Sequence, residues 1–356
     1  MSLSSKFFFS VTYLNCCLGL SSLFAQVNQD GPYIQRKEQN IEVVQVTNNQ
    51  AIIKTLKESD PIEVSFYHKP ELNFKFKLHP IQVQPTEFKV PDKIFALSDI
   101  EGEFEDFRNL LINNKIIDKD YNWTFGNGHM VICGDLFDRG EDVLPSIWLL
   151  YKLEEEAKKQ GGYLHVILGN HDIMNMSGDL RYLSPKYIAS AKLIGTDYLS
   201  QLSEKTELGA WLRSKNAIEK IGDRLFLHAG ISPALAKKGK SLDEINSTCR
   251  KAYGKSRESL SEEENFLIGS MGPFWYRGYF MQPQTEETAI DDILKTFNAK
   301  QILVGHTILE SNIGFYYNKK VVGLDVNHHR GVLSGMFIKD NKCIVFDKDG
   351  TSKELN

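Results

Sequence analysis

Five short apolar runs in this chain each break off at side chains able to bind a metal ion, with glycines close beside them. After Ile94-Phe95-Ala96-Leu97 come Ser98-Asp99-Ile100-Glu101-Gly102. After Met130-Val131-Ile132-Cys133 come Gly134-Asp135-Leu136-Phe137-Asp138-Arg139-Gly140. Leu164-His165-Val166-Ile167-Leu168 runs into Gly169-Asn170-His171-Asp172, Arg224-Leu225-Phe226-Leu227 into His228-Ala229-Gly230, and Gln301-Ile302-Leu303-Val304 into Gly305-His306-Thr307. A single acid after a strand often does no more than cap the next helix. Five such ends carrying oxygen and nitrogen donors point instead to divalent cations, which are held by clustered Asp, Asn and His. The glycines suit sharp backbone turns or the close approach of an ion.

The runs alternate with helical periodicity. Phe104, Phe107, Leu110 and Leu111 fall on one helical face, as do Val143, Ile147, Leu150 and Leu153. Strand, helix, strand, helix, strand implies a parallel sheet covered on both faces. Ligands of such sheets gather beyond the carboxyl ends of the strands, where all five polar blocks lie. The expected fold is an α/β sandwich, central β layers flanked by helices, over residues 91–350. Residues 26–90 read as a short β-rich N-terminal extension. There Glu42–Val46, Ile62–Phe66 and Phe74–Leu78 carry β-branched or aromatic residues in rough alternation. Residues 177–220 and 234–298 read as mostly helical, polar insertions, the usual place for substrate-shaping elements.

Composition excludes several classes. The 356 residues are 42% hydrophobic and 25% charged, which suits a globular chain with a substantial core rather than a disordered or stapled one. The formal net charge of −4 gives no basic field for nucleic acid, so an anionic substrate must be drawn by a local charge. The first 25 residues differ in kind: Lys6, an uncharged run from Phe7 to Phe24, then the small Ala25. That is the layout of a signal peptide, with export to the periplasm or the cell exterior; a buried N-terminal helix is the alternative. Its Ser, Asn, Cys and Gly residues make a poor permanent anchor, so no stable membrane span is expected in the mature chain. Beyond the leader, Cys133, Cys249 and Cys343 are an odd number at wide spacing and imply no disulfide framework.

Taken together the blocks resemble the calcineurin-like metallophosphoesterase superfamily, in its phosphoprotein phosphatase branch. That branch is marked by GDxHG, GDxxDRG and GNHE followed by two isolated histidines. Gly178-Asp179-Leu180-Arg181-Tyr182 and Phe274-Trp275-Tyr276-Arg277-Gly278-Tyr279 make the closer resemblance one to bacterial Shewanella-like protein phosphatases. The resemblance implies two divalent metal ions bridged by Asp135, with Asp99 completing one site and Asn170, His228 and His306 the other. It implies His171 as the acid that protonates the leaving alkoxide, oriented by Asp138, and Arg139 and Arg277 on phosphate oxygens. Arg181 is a further candidate substrate contact; its alternative is a solvated ion pair with Asp179. For Arg277 the alternative is a surface arginine stacked on Trp275 or Tyr276.

The chemistry is consistent with these roles. Phosphate monoesters hydrolyse so slowly that accelerations up to about 10²¹-fold are known. Two ions about 3.5–4 Å apart can hold a hydroxide and neutralise phosphoryl oxygens, which leaves the leaving-group proton to a histidine. One departure bears on the metal. Glu101 stands where the branch has a histidine. As a ligand it makes the first site harder and more anionic, favouring Mn²⁺, with Fe, Zn or Mg as alternatives. Turned away, it leaves that site weak. His328 and His329 are candidates to compensate. The substrate is open between a phosphoprotein and a small molecule such as a dinucleoside polyphosphate. A metal-binding pseudo-phosphatase that does not cleave is the reading from another class.

Overall fold

The computed structural model describes residues 27–309, 312–340 and 342–355; the expected leader over residues 1–25 lies outside them. The described residues begin with three antiparallel strands, β1 (Gln29–Arg36), β2 (Ile41–Thr47) and β3 (Gln50–Leu56), and a hairpin of β4 (Ile62–Val64) and β5 (Phe74–Phe76). A short β6 (Glu87–Phe88) follows, then the parallel strands β7 (Ile94–Leu97), β8 (His129–Cys133) and β9 (Tyr163–Ile167). Next come β10 (Ile218–Ile221), β11 (Arg224–Leu227), β12 (Gln301–Val304), β13 (Gly314–Tyr316) and β14 (Val321–Gly323). The last strands are β15 (Ser334–Lys339), β16 (Lys342–Asp347) and β17 (Ser352–Glu354). Among the described residues two six-stranded sheets result, in the orders β13-β14-β12-β11-β10-β6 and β17-β16-β15-β7-β8-β9.

The strands of the second sheet send alternate side chains to opposite faces. Phe95, Leu97, Met130 and Ile132 join one large core with Phe104 and Phe107 of helix Phe104–Asn113 and Ile147 and Leu150 of helix Val143–Lys159. Ile94, Ala96, Val131 and Cys133 pack instead on Ile221, Phe226, Leu303 and Val322 of the first sheet. One cover of the parallel strands is therefore a layer of helices and the other a second sheet. A strand buried on both sides reads as a continuous apolar run whichever layer covers it. His165 lies between the sheets, with Nδ1 2.6 Å from Glu219 Oε2 and Nε2 2.9 Å from His129 Nδ1.

The N-terminal segment is tied into the rest. β6 pairs in parallel with β10, so residues 26–90 end within the central layers. Arg36 of β1 grips the buried Glu207 with two bonds (Nε–Oε2 2.6 Å, Nη2–Oε1 2.9 Å), and Trp148 Nε1 donates to Pro32 O at 2.9 Å. The first insertion is anchored similarly: Lys215 Nζ and Trp211 Nε1 both donate to Glu154 Oε2 at 2.7 Å, with Lys215 fully buried. Among the described residues no helix is long and apolar enough to cross a membrane.

Removing one member of a buried ion pair strands the other charge, at a cost of about 3–5 kcal/mol. Glu154→Gln is therefore expected to lower the urea midpoint by that equivalent. Glu154→Gln combined with Lys215→Met should recover much of the loss. Equal stability of wild type and the single variant would show that the pair does not hold the insertion.

Candidate metal centre

The loops after β7, β8, β9, β11 and β12 converge at one rim, and their backbone there is unusual. Asp99 (φ 56°), Glu101 (45°), Asp135 (55°), Asp138 (75°), Arg139 (59°) and His306 (67°) all occupy the left-handed region. Such conformations cost side-chain-bearing residues on the order of 1–3 kcal/mol each and persist only where the surroundings enforce them. The enforcing contacts run between loops. Asp99 N donates to Gly134 O and Glu101 N to Asp135 O, both at 3.0 Å, and Gly140 N donates to Glu101 O at 2.9 Å. The Asp172 carboxylate collects the N–H groups of Asp135 (3.1 Å), Leu136 (2.8 Å), Phe137 (3.3 Å) and Gly169 (2.6 Å). A Cβ on Gly169 would lie 2.1 Å from Asp135 Oδ1, and one on Gly305 2.3 Å from Asp99 Oδ2, so both positions need glycine for packing rather than for φ.

One set of donors surrounds His228. Its Nδ1 lies 2.7 Å from Cys133 O, which fixes the proton on that nitrogen. Its Nε2 faces two further acceptors, Asn170 Oδ1 at 2.9 Å and Asp135 Oδ2 at 3.1 Å. A neutral ring would then aim a lone pair at two oxygens, so a cation belongs among them. Without a metal that cation is a second proton. Burial alone would lower the His228 pKa, but the charge and hydrogen bond of Asp135 push it up to about 10. The His306 ring is 4.9 Å from that of His228, and its buried Nε2 has no hydrogen-bond partner among the described residues. Asp135, His228 and His306 each offer a ligand atom within 4.8 Å of the others. An orphaned imidazole nitrogen beside a three-donor cradle fits a divalent ion.

The adjoining set is anionic. Asp99 Oδ2 accepts from His306 N at 3.1 Å. Glu101 is turned inward, 5% exposed, with Oε1 2.9 Å from Arg139 Nε and 3.9 Å from His171 Nε2. Glu101, Asp135 and His171 form a second group of ligand atoms within 4.8 Å of one another. Burial, then the charges of Asp99 and Asp135, push the Glu101 carboxyl up to about 10. Burial and the charge of Asp99 also raise Asp325 well above the usual carboxylate range. Four buried carboxylates thus face one small volume, which suits hard cations with oxygen ligands. Asp325 is a group the sequence does not single out; attention falls there on the neighbouring histidines. His328 is buried, and the side chain of His329 lies outside the described part of the structure.

The remaining candidates divide. His171 Nδ1 lies 2.5 Å from Asp138 Oδ2, its Nε2 3.9 Å from Asp135 Oδ2, and its ring 5.1 Å from that of Tyr182. Burial lowers its pKa, but the Asp138 bond and the nearby carboxylates leave it raised overall. Arg277 Nη1 donates to His306 O (2.8 Å) and Thr307 Oγ1 (3.1 Å), which fastens it to the His306 loop. Arg139, by contrast, stays 41% exposed at the rim with its Nε on Glu101. Arg181 is not drawn into the cluster: both its Nε and Nη2 are on Asp179 at 2.8 Å, in solvent. It lines a groove of about 350 Å³ with Ile173, Met174, Arg257 and Trp275, the last standing 5.9 Å from the His306 ring.

Two outcomes follow. Glu101 (ordinary value 4.5) and His228 (6.5) both hold protons more tightly when folded, each up to about 10. The folded state then binds more protons than the unfolded one, so stability falls as pH rises. Chelator-treated protein should lose stability steadily from about pH 5 to pH 10, measured by urea midpoints. Saturating divalent ion should flatten that slope because it replaces the protons. The reverse slope in chelated protein would contradict the charge arrangement. In addition, Gly169→Ala should weaken metal binding by about 10–100-fold, read by titration calorimetry, because it displaces Asp135.

Comparison with known proteins identifies the family. The family model described as calcineurin-like phosphoesterase matches residues 92–309, more than half of the chain. Shewanella-like protein phosphatase 2 of Arabidopsis thaliana is 25% identical over 300 residues, covering 72% of this chain and 76% of that protein. Shewanella-like protein phosphatase 1 of Plasmodium berghei is 29% identical, covering 70% of this chain and 68% of that protein. The solved structure of a cold-active protein-tyrosine phosphatase from a psychrophile Shewanella sp. superposes with a TM-score of 0.86 at 35% identity, over 92% of this chain and 99% of that one. With its two-sheet core and its buried His/Asp clusters, the chain belongs to the calcineurin-like phosphoesterase family, near the Shewanella-like protein phosphatases.

Proposed function

We propose that this phosphoesterase is an exported phosphoprotein phosphatase with two divalent metal ions, manganese first among them. The observation that carries the reading is the convergence on Asp135 of two donor sets, His228 with His306 and Glu101 with His171. Asp135, Asn170, His228 and His306 would hold one ion, and Asp99, Glu101 and the shared Asp135 the other. Bound divalent ions supply Lewis-acid polarisation of the phosphoryl group and activate water at neutral pH.

The chain's own residues supply the rest. Asp138 accepts a hydrogen bond from His171 Nδ1–H and steadies the protonated ring, so Nε2–H can present the proton for the leaving oxygen. Arg277, tied to the His306 loop, and Arg139 at the rim bring planar cationic groups to phosphate oxygens. Tyr182, beside the His171 ring, and Trp275, beside that of His306, would offer aromatic faces to an aromatic leaving group. Similarity to protein phosphatases supports a phosphorylated protein side chain, phosphotyrosine included. Export rests on Lys6, the uncharged run to Phe24 and Ala25.

Purified mature chain should hydrolyse p-nitrophenyl phosphate and phosphopeptides with Mn²⁺, and chelator should abolish turnover. Asp135→Asn and His171→Asn should each lower kcat by about 10²-fold or more. Faster cleavage of diadenosine tetraphosphate than of any phosphopeptide would overturn the protein substrate. Absence of metal-dependent turnover would favour a binding protein instead.

A further inference from the structure

The first insertion reaches back to the site through a side chain the chemistry above does not use. Asn175 lies one turn beyond His171 on helix Asn170–Ser177 and is fully buried. Its Nδ2 donates to Asp138 Oδ1 at 2.8 Å and to the His171 carbonyl at 2.9 Å. Both partners are acceptors only, so the amide nitrogen must face them and Oδ1 must face away. There Oδ1 receives the hydroxyl of Tyr198, at 2.7 Å. Tyr198 is 6% exposed and begins the short helix Tyr198–Gln201, whose first turn is capped by Asp197. Donors thus converge on the Asp138 carboxylate from two sides, Tyr198 through the Asn175 amide onto Oδ1 and His171 Nδ1 onto Oδ2.

We infer that Asn175 and Tyr198 are positioning residues: acting through Asp138, they hold the His171 imidazole at the angle from which Nε2 reaches the leaving oxygen. The bond from Tyr198 anchors the Asn175 amide from its other end. The amide in turn occupies Asp138 Oδ1, leaving Oδ2 for His171 Nδ1 at 2.5 Å. Loss of the Tyr198 hydroxyl would leave the buried Asn175 Oδ1 without its donor and let the amide shift, loosening its hold on Asp138 Oδ1. This inference rests on the reading of His171 as the leaving-group acid. It gives the first insertion a mechanical role besides shaping the groove.

The test compares two substrates that differ in their need for a proton. Phenyl phosphate expels a basic phenoxide, whereas 2,4-dinitrophenyl phosphate expels a stable one that leaves without help. With the full mature chain and Mn²⁺, Asn175→Leu should lower kcat on phenyl phosphate by about 10–100-fold, within the 10²–10⁴-fold a positioned acid supplies. The loss on 2,4-dinitrophenyl phosphate should be several-fold smaller, with KM and bound metal unchanged. Tyr198→Phe should show the same split at about 3–10-fold, and it decides the question if Asn175→Leu fails to fold. A readout independent of turnover is the downfield proton of the short His171–Asp138 bond in the ¹H spectrum of metal-free protein. It should shift or broaden in Tyr198→Phe. Equal losses on both substrates, or an unchanged phenyl phosphate rate with an unmoved proton, would overturn the inference. His171→Asn separates the two levels. A split there without one in Tyr198→Phe removes the positioning role alone; no turnover by wild type removes the phosphatase reading and this inference with it.

Discussion

The carboxylate of Asp172 is the fastening on which the site depends. It draws four backbone N–H groups from two chain segments, the turn after β8 and the turn before helix Asn170–Ser177, onto one pair of oxygens. That grip holds the Asp135 loop in a left-handed path and presses it against Gly169, where no side chain fits. Asp135 is thereby delivered between His228, His171 and the Gly134 turn. A buried carboxylate with this many donors organises backbone more firmly than any apolar contact, because each N–H left unpaired there would carry a desolvation cost.

Charge is the second constraint. Asp99, Glu101, Asp135 and Asp325 are all buried at one rim, with the Arg139 and Arg277 guanidiniums and the histidines near them. Burial and mutual repulsion raise Asp99, Glu101 and Asp325, while Asp135, despite its burial, is held low by His228. Such a cluster is costly without cations and favourable with them, so the strained loops and the ligand set describe one design. Glu101 alters its balance. Where the resembled branch has a neutral imidazole it adds a carboxyl whose Oε1 lies 2.9 Å from Arg139 Nε, which ties the rim arginine to the acidic cluster.

The layers behind the rim explain its rigidity. One face of β7 and β8 meets helices and the other meets the second sheet, so five strand ends from two sheets are locked by two separate cores. The insertions are not ornaments on that frame. Glu154 and Lys215 clamp the first of them to helix Val143–Lys159, and Tyr198 and Asn175 carry its position to Asp138.

The amino-acid sequence alone determined the strand ends, the order of donors along the chain and the family, because short apolar runs closed by Asp, Asn and His are local patterns. It also marked Glu101 as the departure. Asp172 was visible only as an acid after a histidine, and Asn175 only as a residue one turn further on. The distant partners of those two lie more than 30 residues away in the chain (Asp135 37 and Leu136 36 positions from Asp172, Asp138 37 from Asn175). Tyr198 carried no signal at all, since an aromatic residue in a polar insertion reads as packing. Tertiary structure decided that Glu101 faces inward and that Arg181 spends its fork on Asp179. It decided too that the second cover of the parallel strands is a sheet, and that Asp325 enters the cluster. The physical reason is common to all of these: periodicity and spacing report which face of its own element a side chain occupies, whereas the partner it meets is set by how distant elements pack.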